Sequence, residues 1–498
     1  MSSNIPDTDK KRIVIVGGGF AGLALIRTLR RSGMQVVLVD KHNYHMFKPL
    51  LYQVASSALN VGDIAFPFRK MFHGWNDFYF RMAYIERVDA TAKRLYTTVG
   101  DIRYDYLVIS TGCVPNFFGI ENIKRTALAM SNITDALNIR NRVLRNFEIA
   151  VTASSDAERI SRLNVVIVGG GASGVEIAGA LSEMRRYVMP RDYPRLDMSH
   201  MSIYLIEGLG RLLSSMSEQT SAEALKTLKS KGVKVMLNRK VTDYVDGCAI
   251  FDDGESIPTQ NLIWTSGIRC SAVPGLEQQT KERGGRIGVD AFNRVKEYDD
   301  VFAIGDIAAM HDDAEYPNGH PQLARVGISQ GKRLGKNLLA GLKGRPMKPF
   351  RYCNYGVMAT VGRNRAFVEW KKIRFGGFAA WVVWSTIHIM FLLGIGDILD
   401  EWTHKKSVAD LAQSMSLNVD KVWLQTPQGD VLVPLHDVQV GDRISVRTGG
   451  MIPLDGKVVS GEAMVNQASI TGEPLAVRKS EGGYVYAGTV IEEGDCVV

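Results

Sequence analysis

Two six-residue stretches carry the spacing GxGxxG, Gly17-Gly18-Gly19-Phe20-Ala21-Gly22 and Gly169-Gly170-Gly171-Ala172-Ser173-Gly174. Each directly follows an apolar run, Ile13-Val14-Ile15-Val16 in one case and Val165-Val166-Ile167-Val168 in the other. At that spacing the first glycine permits a tight turn from strand into helix and the second lets backbone approach a pyrophosphate. The third lets the helix pack on the strand, with the diphosphate at the helix N-terminus. One match is weak evidence. Two, each set between a strand and a helix, point to a chain that holds two dinucleotides at once, as when a nicotinamide passes hydride to a flavin. A carboxylate on a ribose hydroxyl is expected about 20 residues further on. Asp40 ends the strand 36–39, 18 positions after Gly22, and Glu207 ends the strand 202–206, 33 positions after Gly174. The excess in the second unit falls on the polar segment 185–200, with Pro190 and Pro194, which reads as an inserted loop. The alternative for either acid is a solvated carboxylate at a strand end.

These residues need elements to hold them, and the composition allows for several. The 498 residues are 45% hydrophobic, which suits about two to four domains with buried cores. Net charge is +8, from 60 basic and 52 acidic side chains spread along the chain. That balance is compatible with an anionic lipid surface and does not call for a nucleic-acid partner. The five cysteines, Cys113, Cys248, Cys270, Cys353 and Cys496, include no CxxC or CxxxxC pair. No disulfide framework, zinc site or dithiol redox centre is therefore expected. The first strand begins near Arg12 with no apolar leader before it, so a cytosolic location is expected.

Segment 42–53 is aromatic-rich, fits neither helical nor strand period, and reads as a lining loop. Tyr106-Leu107-Val108-Ile109-Ser110-Thr111-Gly112 is a strand ending in a small-residue turn, and Leu262-Ile263-Trp264-Thr265-Ser266-Gly267 repeats the pattern after the second fingerprint. Such turns let backbone pass close to a bound cofactor. Val301-Phe302-Ala303-Ile304-Gly305-Asp306 is a further strand, and an Asp at its carboxyl end can accept a hydrogen bond from a ribityl hydroxyl or simply cap a turn. The 19 residues 378–396 have His388 as their one ionisable group, near the length that crosses a bilayer core. Basic residues flank both ends, so charge gives no orientation. Trp381 and Trp384 beside a basic flank favour an interfacial anchor over a span or a buried core helix.

Residues 10 to about 394 resemble the type II NADH dehydrogenases, single-subunit flavoprotein NADH:quinone oxidoreductases. Beyond the paired fingerprints, the resemblance is carried by His45-x-Phe47-x-Pro49-Leu50-Leu51-Tyr52-Gln53-Val54-Ala55, Asp63-Ile64-Ala65-x-Pro67-x-Arg69 and Gly174-Val175-Glu176. Gly305-Asp306 and Gly362-Arg363-Asn364-Arg365-Ala366 complete it. It implies an α/β chain with two Rossmann-like domains, FAD held non-covalently on the first and NADH on the second. FAD contacts are implied near Gly17, Gly19, Phe20, Ala21, Gly22, Asp40, Lys41, Thr111, Gly112, Gly305 and Asp306, and NADH contacts near Gly169, Gly171, Gly174, Glu207 and Gly267. The family places Glu176 where nicotinamide meets flavin. Its quinone pocket commonly carries Ala-Gln-x-Ala-x-Gln, whereas this chain has Ala324-Arg325-Val326-Gly327-Ile328-Ser329-Gln330. Arg325 and Ser329 thus stand at the glutamine positions, and Gln330 serves only if the helix turns by about 100°. The implied partners are NADH, a membrane quinone, the lipid surface at the cytoplasmic face of the membrane, and a second copy of the chain. A sulfide-oxidising relative is disfavoured, because Cys113 has no partner thiol nearby in sequence.

From about residue 395 the character changes. A helical stretch to Met415 is followed by short Val-rich strands with Gly and Pro turns. Val440-Gly441-Asp442-x-Ile444, Gly450-x-Ile452-Pro453-x-Asp455-Gly456 and Ala468-Ser469-Ile470-Thr471-Gly472-Glu473-Pro474 resemble the actuator domain of heavy-metal P-type ATPases. In that family the Thr471-Gly472-Glu473 loop positions a water that hydrolyses an aspartyl phosphate. No Asp-Lys-Thr-Gly motif is present, so this part is expected to have no ATPase activity of its own. The expected organisation is FAD-binding at 10–125 and 286–345, NADH-binding at 126–285, a C-terminal membrane-anchoring helix within 346–396, and a small, mainly β, truncated actuator-like domain at 397–498.

Overall fold

The apolar runs ahead of the two fingerprints become the central strands of two parallel sheets. The first sheet has the order Val301–Ala303, Tyr106–Ile109, Arg12–Val16, Gln35–Asp40, Phe78–Met82. The second has the order Leu128–Ala129, Asn261–Trp264, Val165–Val168, Ile203–Glu207, Val233–Leu237. In both, the strand before the glycines is central and the strand bearing the acid lies beside it. Ile13, Val14 and Ile15, like Val165, Val166 and Ile167, are fully buried. Parallel strands are covered on both faces, so their sequences run continuously apolar rather than alternating. These elements belong to a computed structural model that describes residues 3–279, 282–392, 421–427, 429–448, 450, 452–467, 476–487 and 489–498.

The chain divides into two compact units, Met1–Ile395 and Gly396–Val498. Within the first, the chain leaves one sheet through Val114–Pro115 and returns from the other through Ile268–Arg269, and these two strands pair antiparallel. It then adds Val301–Ala303 to the edge of the first sheet. Helix Ala324–Gly341 packs against the first fingerprint helix, Phe20–Leu29. Gly327, Gly331 and Gly335, at successive i, i+4 positions, make the approach possible. A Cβ at Gly331 would lie 2.3 Å from the Ala21 carbonyl, and one at Gly335 would lie 2.7 Å from the Thr28 side chain.

Two local expectations need correction. Segment 185–200 is not a plain loop. The second fingerprint helix, Ala172–Glu183, runs on through a π-helical turn, Met184–Val188, into Met189–Asp192, where Pro190 supplies no N–H to the preceding turn, directly after the π-helical irregularity. Segment 42–53 likewise holds regular structure: strand Tyr44–Met46, a 3-10 turn Lys48–Leu50 and helix Leu51–Ala55. The pieces are too short for sequence periodicity to register.

In the second unit, six strands pair antiparallel in the order Gly429–Pro434, Lys421–Thr426, Ile444–Val446, Val490–Val497, Ser460–Asn466, Val477–Lys479. Val422, Ile444, Ile452, Val458, Val465, Val485 and Ile491 form its core. The expected helical stretch to Met415 and the Thr471-Gly472-Glu473 loop lie outside the described residues.

Candidate dinucleotide and acceptor sites

The two fingerprint turns are built alike, atom for atom in several places. Gly17 and Gly169 have φ of +102° and +112°, and a Cβ there would lie 2.4 Å from the Ser110 carbonyl and 2.9 Å from the Ser266 nitrogen respectively. A Cβ at Gly22 would lie 2.1 Å from the Gly17 carbonyl, and one at Gly174 would lie 1.8 Å from the Gly169 carbonyl. These four glycines are demanded by the protein itself. Gly19 and Gly171 differ: their φ values of −69° and −71° suit any residue, and a Cβ would meet nothing within 4 Å. A side chain there would meet no protein atom, so the protein's own packing does not demand glycine at these two positions. Each of these glycines caps a helix with no side-chain hydrogen bond and no acid in the first turn. By contrast, Asn132, Ser155 and Ser217 cap their helices with side-chain acceptors. The fingerprint helices therefore keep free N–H groups and a positive dipole end for a diphosphate.

Asp40 Oδ2 accepts from the Gly18 N–H at 2.6 Å and Oδ1 from the His42 N–H at 2.8 Å. Glu207 Oε2 accepts from the Gly170 N–H at 2.5 Å and Oε1 from the Leu209 N–H at 2.7 Å. Each acid thus braces the middle glycine of its own turn, which sets the carboxylate at the turn's mouth rather than free in solvent. Burial pushes the Asp40 carboxyl up from its ordinary value, opposed by its two backbone hydrogen bonds. Ser110 and Thr265 are also equivalent: Ser110 Oγ lies 2.7 Å from the Gly17 carbonyl and Thr265 Oγ1 lies 3.2 Å from the Gly169 carbonyl. These hydroxyls were legible as the small residues after each strand, although their task was not. Arg211, four residues after Glu207, donates to the Met216 and Ser214 carbonyls at 2.8 Å.

Around the first turn the structure brings together Phe20, Ala21, Thr111-Gly112 and Gly305-Asp306. Phe20 packs edge-on against His45 and Phe47. His45 is buried, bonds the Gly18 carbonyl through Nδ1 at 2.8 Å, and is lowered to about 4 by desolvation. A Cβ at Gly305 would lie 3.1 Å from Ala21. Asp306 follows, with burial pushing its carboxyl up and Lys48 and Arg286 pulling it down. Lys41 and Thr111 are exposed, Gly112 has φ +67°, and Gly267 takes φ +72° beside Phe118 at the second turn.

Glu176 is the fifth residue of the second fingerprint helix, just past its first turn. Desolvation pushes its carboxyl up to about 8, opposed by a hydrogen bond to the Thr360 backbone. Desolvation thus favours the protonated, uncharged form of this half-buried carboxyl. Sequence reading found Glu176 only through family resemblance and missed the polar cluster beside it. Tyr52 Oη is 3.2 Å from Thr360 Oγ1 and accepts from Gln53 Nε2 at 2.9 Å, and burial, with the Glu176 carboxylate when ionised, pushes the Tyr52 hydroxyl up from its ordinary value. Thr360 is 308 residues from Tyr52, so no sequence pattern links them.

On the acceptor side, the three candidates part company. Gln330 is buried, with Oε1 accepting from the Gly305 N–H at 2.7 Å. The condition under which Gln330 serves a head group, a helix turned by about 100°, is not met here: Gln330 supports the Gly305-Asp306 turn. Arg325 is exposed and its guanidinium lies 4.9 Å from the Tyr355 ring centre and 4.6 Å from that of Phe391. Ser329, one turn along, is half-buried. Phe391 sits on residues 378–392, which are helical. Ala380 and Trp384 of this helix are buried, and His388 stacks on Trp384 and meets Phe47 edge-on. Phe378, Val382, Ile389 and Met390 are exposed, at 61%, 43%, 54% and 66%. Among the described residues no helix is long and apolar enough to cross a membrane.

Cys113 has no partner thiol nearby in sequence, yet the fold brings a distant one to it. Its Sγ is 2.8 Å from that of Cys270, 157 residues on. The absence of a CxxC motif excluded only a local pair, whereas the fold joins two distant turns.

Comparison with known proteins agrees with this architecture. Residues 11–331 match the pyridine nucleotide-disulphide oxidoreductases, and the chain belongs to that family. Residues 416–498 match the P-type ATPase actuator domain. Type II NADH:quinone oxidoreductases are among the relatives of this chain. The chain is 31% identical over 404 residues to NdhA of Mycobacterium tuberculosis, covering 77% of this chain and 84% of that one. It is 30% identical over 391 residues to the Haemophilus influenzae enzyme of the same description, covering 72% and 86%. The structure of NDH2 from Plasmodium falciparum in complex with NADH superposes with a TM-score of 0.71 at 20% identity, over 79% of this chain and 98% of that chain. FAD is the cofactor of this chain and NADH its substrate. The open glycine positions and uncapped helix ends fit both molecules.

Proposed function

We propose that this protein is a peripheral membrane NADH dehydrogenase that passes electrons from NADH to a membrane quinone without pumping protons. The observation that carries the reading is the pair of equivalent strand-turn-helix sites, each with a positive-φ first glycine, a helix N-terminus without a side-chain cap, and an acid held on the middle glycine's N–H. Gly17, Gly19, Gly22, Asp40 and Asp306 would hold FAD, and Gly169, Gly171, Gly174 and Glu207 would hold NADH. When bound, FAD supplies the chemistry of accepting hydride and releasing electrons to the acceptor. The protein's share is orientation: two helix N-termini fix the diphosphates, Asp40 and Glu207 set the ribose ends, and Glu176 holds a proton in the polar cluster with Tyr52 and Thr360. In this reading 10–125 and 286–345 serve FAD, 126–285 serve NADH and 346–396 anchor the enzyme. The exposed Phe378, Val382, Ile389 and Met390 would enter the headgroup boundary of the cytoplasmic face, with basic Lys371 and Lys372 beside them. The Thr471-Gly472-Glu473 loop of the actuator-like domain at 397–498 would position a water against an aspartyl phosphate, and since residues 1–498 contain no Asp-Lys-Thr-Gly motif, these residues by themselves would hydrolyse no ATP.

A second reading keeps the flavoprotein and changes the acceptor. Arg325 lies over Tyr355 and Phe391 where the family commonly has glutamine, and Gln330 is committed to Gly305. Steady-state assays with a flavin-accepting dye and a series of quinones separate the two. Quinone turnover comparable to dye turnover supports the first reading, and dye reduction with no quinone reduction supports the second.

A further inference from the structure

The chain passes between its two dinucleotide sheets along two short strands, with Val114 opposite Arg269 and Pro115 opposite Ile268. One step beyond that antiparallel register stand Cys113 and Cys270. Opposed residues of an antiparallel pair have Cα atoms about 4.5 to 5.5 Å apart, within the roughly 4.4 to 6.8 Å that a disulfide spans. The side chains agree with the backbone, since the two sulfurs lie 2.8 Å apart. Gln322 Nε2 donates to Cys113 Sγ at 3.0 Å and to the Asp306 carbonyl at 3.0 Å, and that carbonyl is 3.5 Å from Cys270 Sγ. Cys113 is partly exposed, and Cys270 is buried directly against it.

We propose that Cys113 and Cys270 are an oxidisable dithiol, a redox-modification site that a peroxide closes into a disulfide across the two connecting strands. The hydrogen bond from Cys113 and the nearby Arg286 charge lower the Cys270 thiol, against burial and the Asp306 charge, which raise it, and the thiolate is the nucleophile in such chemistry. The Cys270 thiolate attacks one peroxide oxygen, the O–O bond breaks, and the departing hydroxide is protonated to water, leaving a sulfenic acid. The Cys113 sulfur then attacks the Cys270 sulfur. The S–S bond forms, the S–O bond breaks, and the hydroxyl leaves with the Cys113 proton as a second water. Two thiols lose two electrons, and the peroxide gains them as two waters. The bond closes a loop of 157 residues that contains the whole second sheet, so the oxidised chain resists unfolding more than the reduced one.

The test uses the full-length, FAD-loaded protein and does not depend on NADH turnover. It is treated with hydrogen peroxide, alkylated, digested without reductant and read by mass spectrometry, with the melting temperature measured in parallel. The expected result is a peptide joining Cys113 to Cys270 that accounts for most of both residues and disappears with dithiothreitol, together with a melting temperature that rises on oxidation and falls back on reduction. In Cys113→Ser, Cys270 is expected to be trapped by dimedone as a sulfenic acid, with no rise in melting temperature. Should that variant fail to fold, the wild-type cross-link decides alone. Recovery of both residues as alkylated thiols, after a dose that oxidises the exposed Cys353, would overturn the proposal, as would their appearance in bonds to other cysteines.

Discussion

Replacing Glu176 with glutamine should make the enzyme's stability less sensitive to pH, and the size of the effect follows from burial. The carboxyl starts from an ordinary value of 4.5 and is pushed up to about 8 by desolvation. Below pH 4.5 the folded and unfolded chains both carry the proton and no ionisation penalty exists. Between 4.5 and about 8 the unfolded chain releases a proton that the folded chain keeps, so stability falls as pH rises, by about 1.4 kcal/mol per unit. At pH 7 the accumulated penalty is about 3 kcal/mol, and it levels off above about pH 8. Glutamine does not titrate, so Glu176→Gln gains on the wild type as pH rises through this window. A unit of this size shifts by about 1 °C per kcal/mol, scaling the usual entropy of unfolding with length. The melting temperature of the variant minus that of the wild type should therefore climb by about 3 to 4 °C between about pH 5 and pH 8. Scanning calorimetry of the FAD-loaded proteins over that range reads the difference directly. Parallel curves, or a difference that shrinks with rising pH, would refute the account of a neutral, half-buried carboxyl.

Other expectations are simpler to state. Gly171→Ala should leave apo-protein stability within about 1 kcal/mol, because its backbone and surroundings tolerate a Cβ, yet raise the KM for NADH at least about tenfold, whereas Gly174→Ala should impair folding outright. NADH should be preferred over NADPH by at least about tenfold, as hydrogen bonds to a charged group contribute roughly 1.5 to 3 kcal/mol. Glu207→Gln should erode that preference, and equal catalytic efficiencies in the wild type would count against Glu207. Because Arg211 is held by two carbonyls, Arg211→Ala should change NADPH use little. Val382→Glu with Ile389→Glu should release the protein from anionic vesicles in a flotation assay while dye reduction stays within about twofold; continued flotation would remove the anchor. Deleting 396–498 should leave NADH oxidation unchanged, and metal-stimulated ATP hydrolysis abolished by Glu473→Ala would contradict an inert actuator domain.

Much of the first unit was legible because its signals are local. A Val-Ile run, three glycines and a downstream acid lie within one βαβ unit, and each has its own steric or electrostatic reason. Even the distance from Gly174 to Glu207 made sense as an insertion, although the insertion proved helical: the π turn at Met184–Val188 leaves no mark in a polar, arginine-rich stretch. What could not be read was chemistry assembled across the fold. Tyr52 with Thr360, and Cys113 with Cys270, meet through sheet topology rather than spacing. Gln330 shows the complementary limit. Its helix was located correctly, but which face met the Gly305 turn depended on close packing through Gly327 and Gly331.

The central claim is that one chain holds FAD on its first turn and receives hydride from NADH on its second. An anaerobic titration of the purified protein with NADH, followed by flavin absorbance, tests it most directly. One flavin per chain, bleached by a single equivalent of NADH and restored by a quinone, is the predicted result. A protein that carries no flavin, or whose flavin stays oxidised in excess NADH, would contradict it.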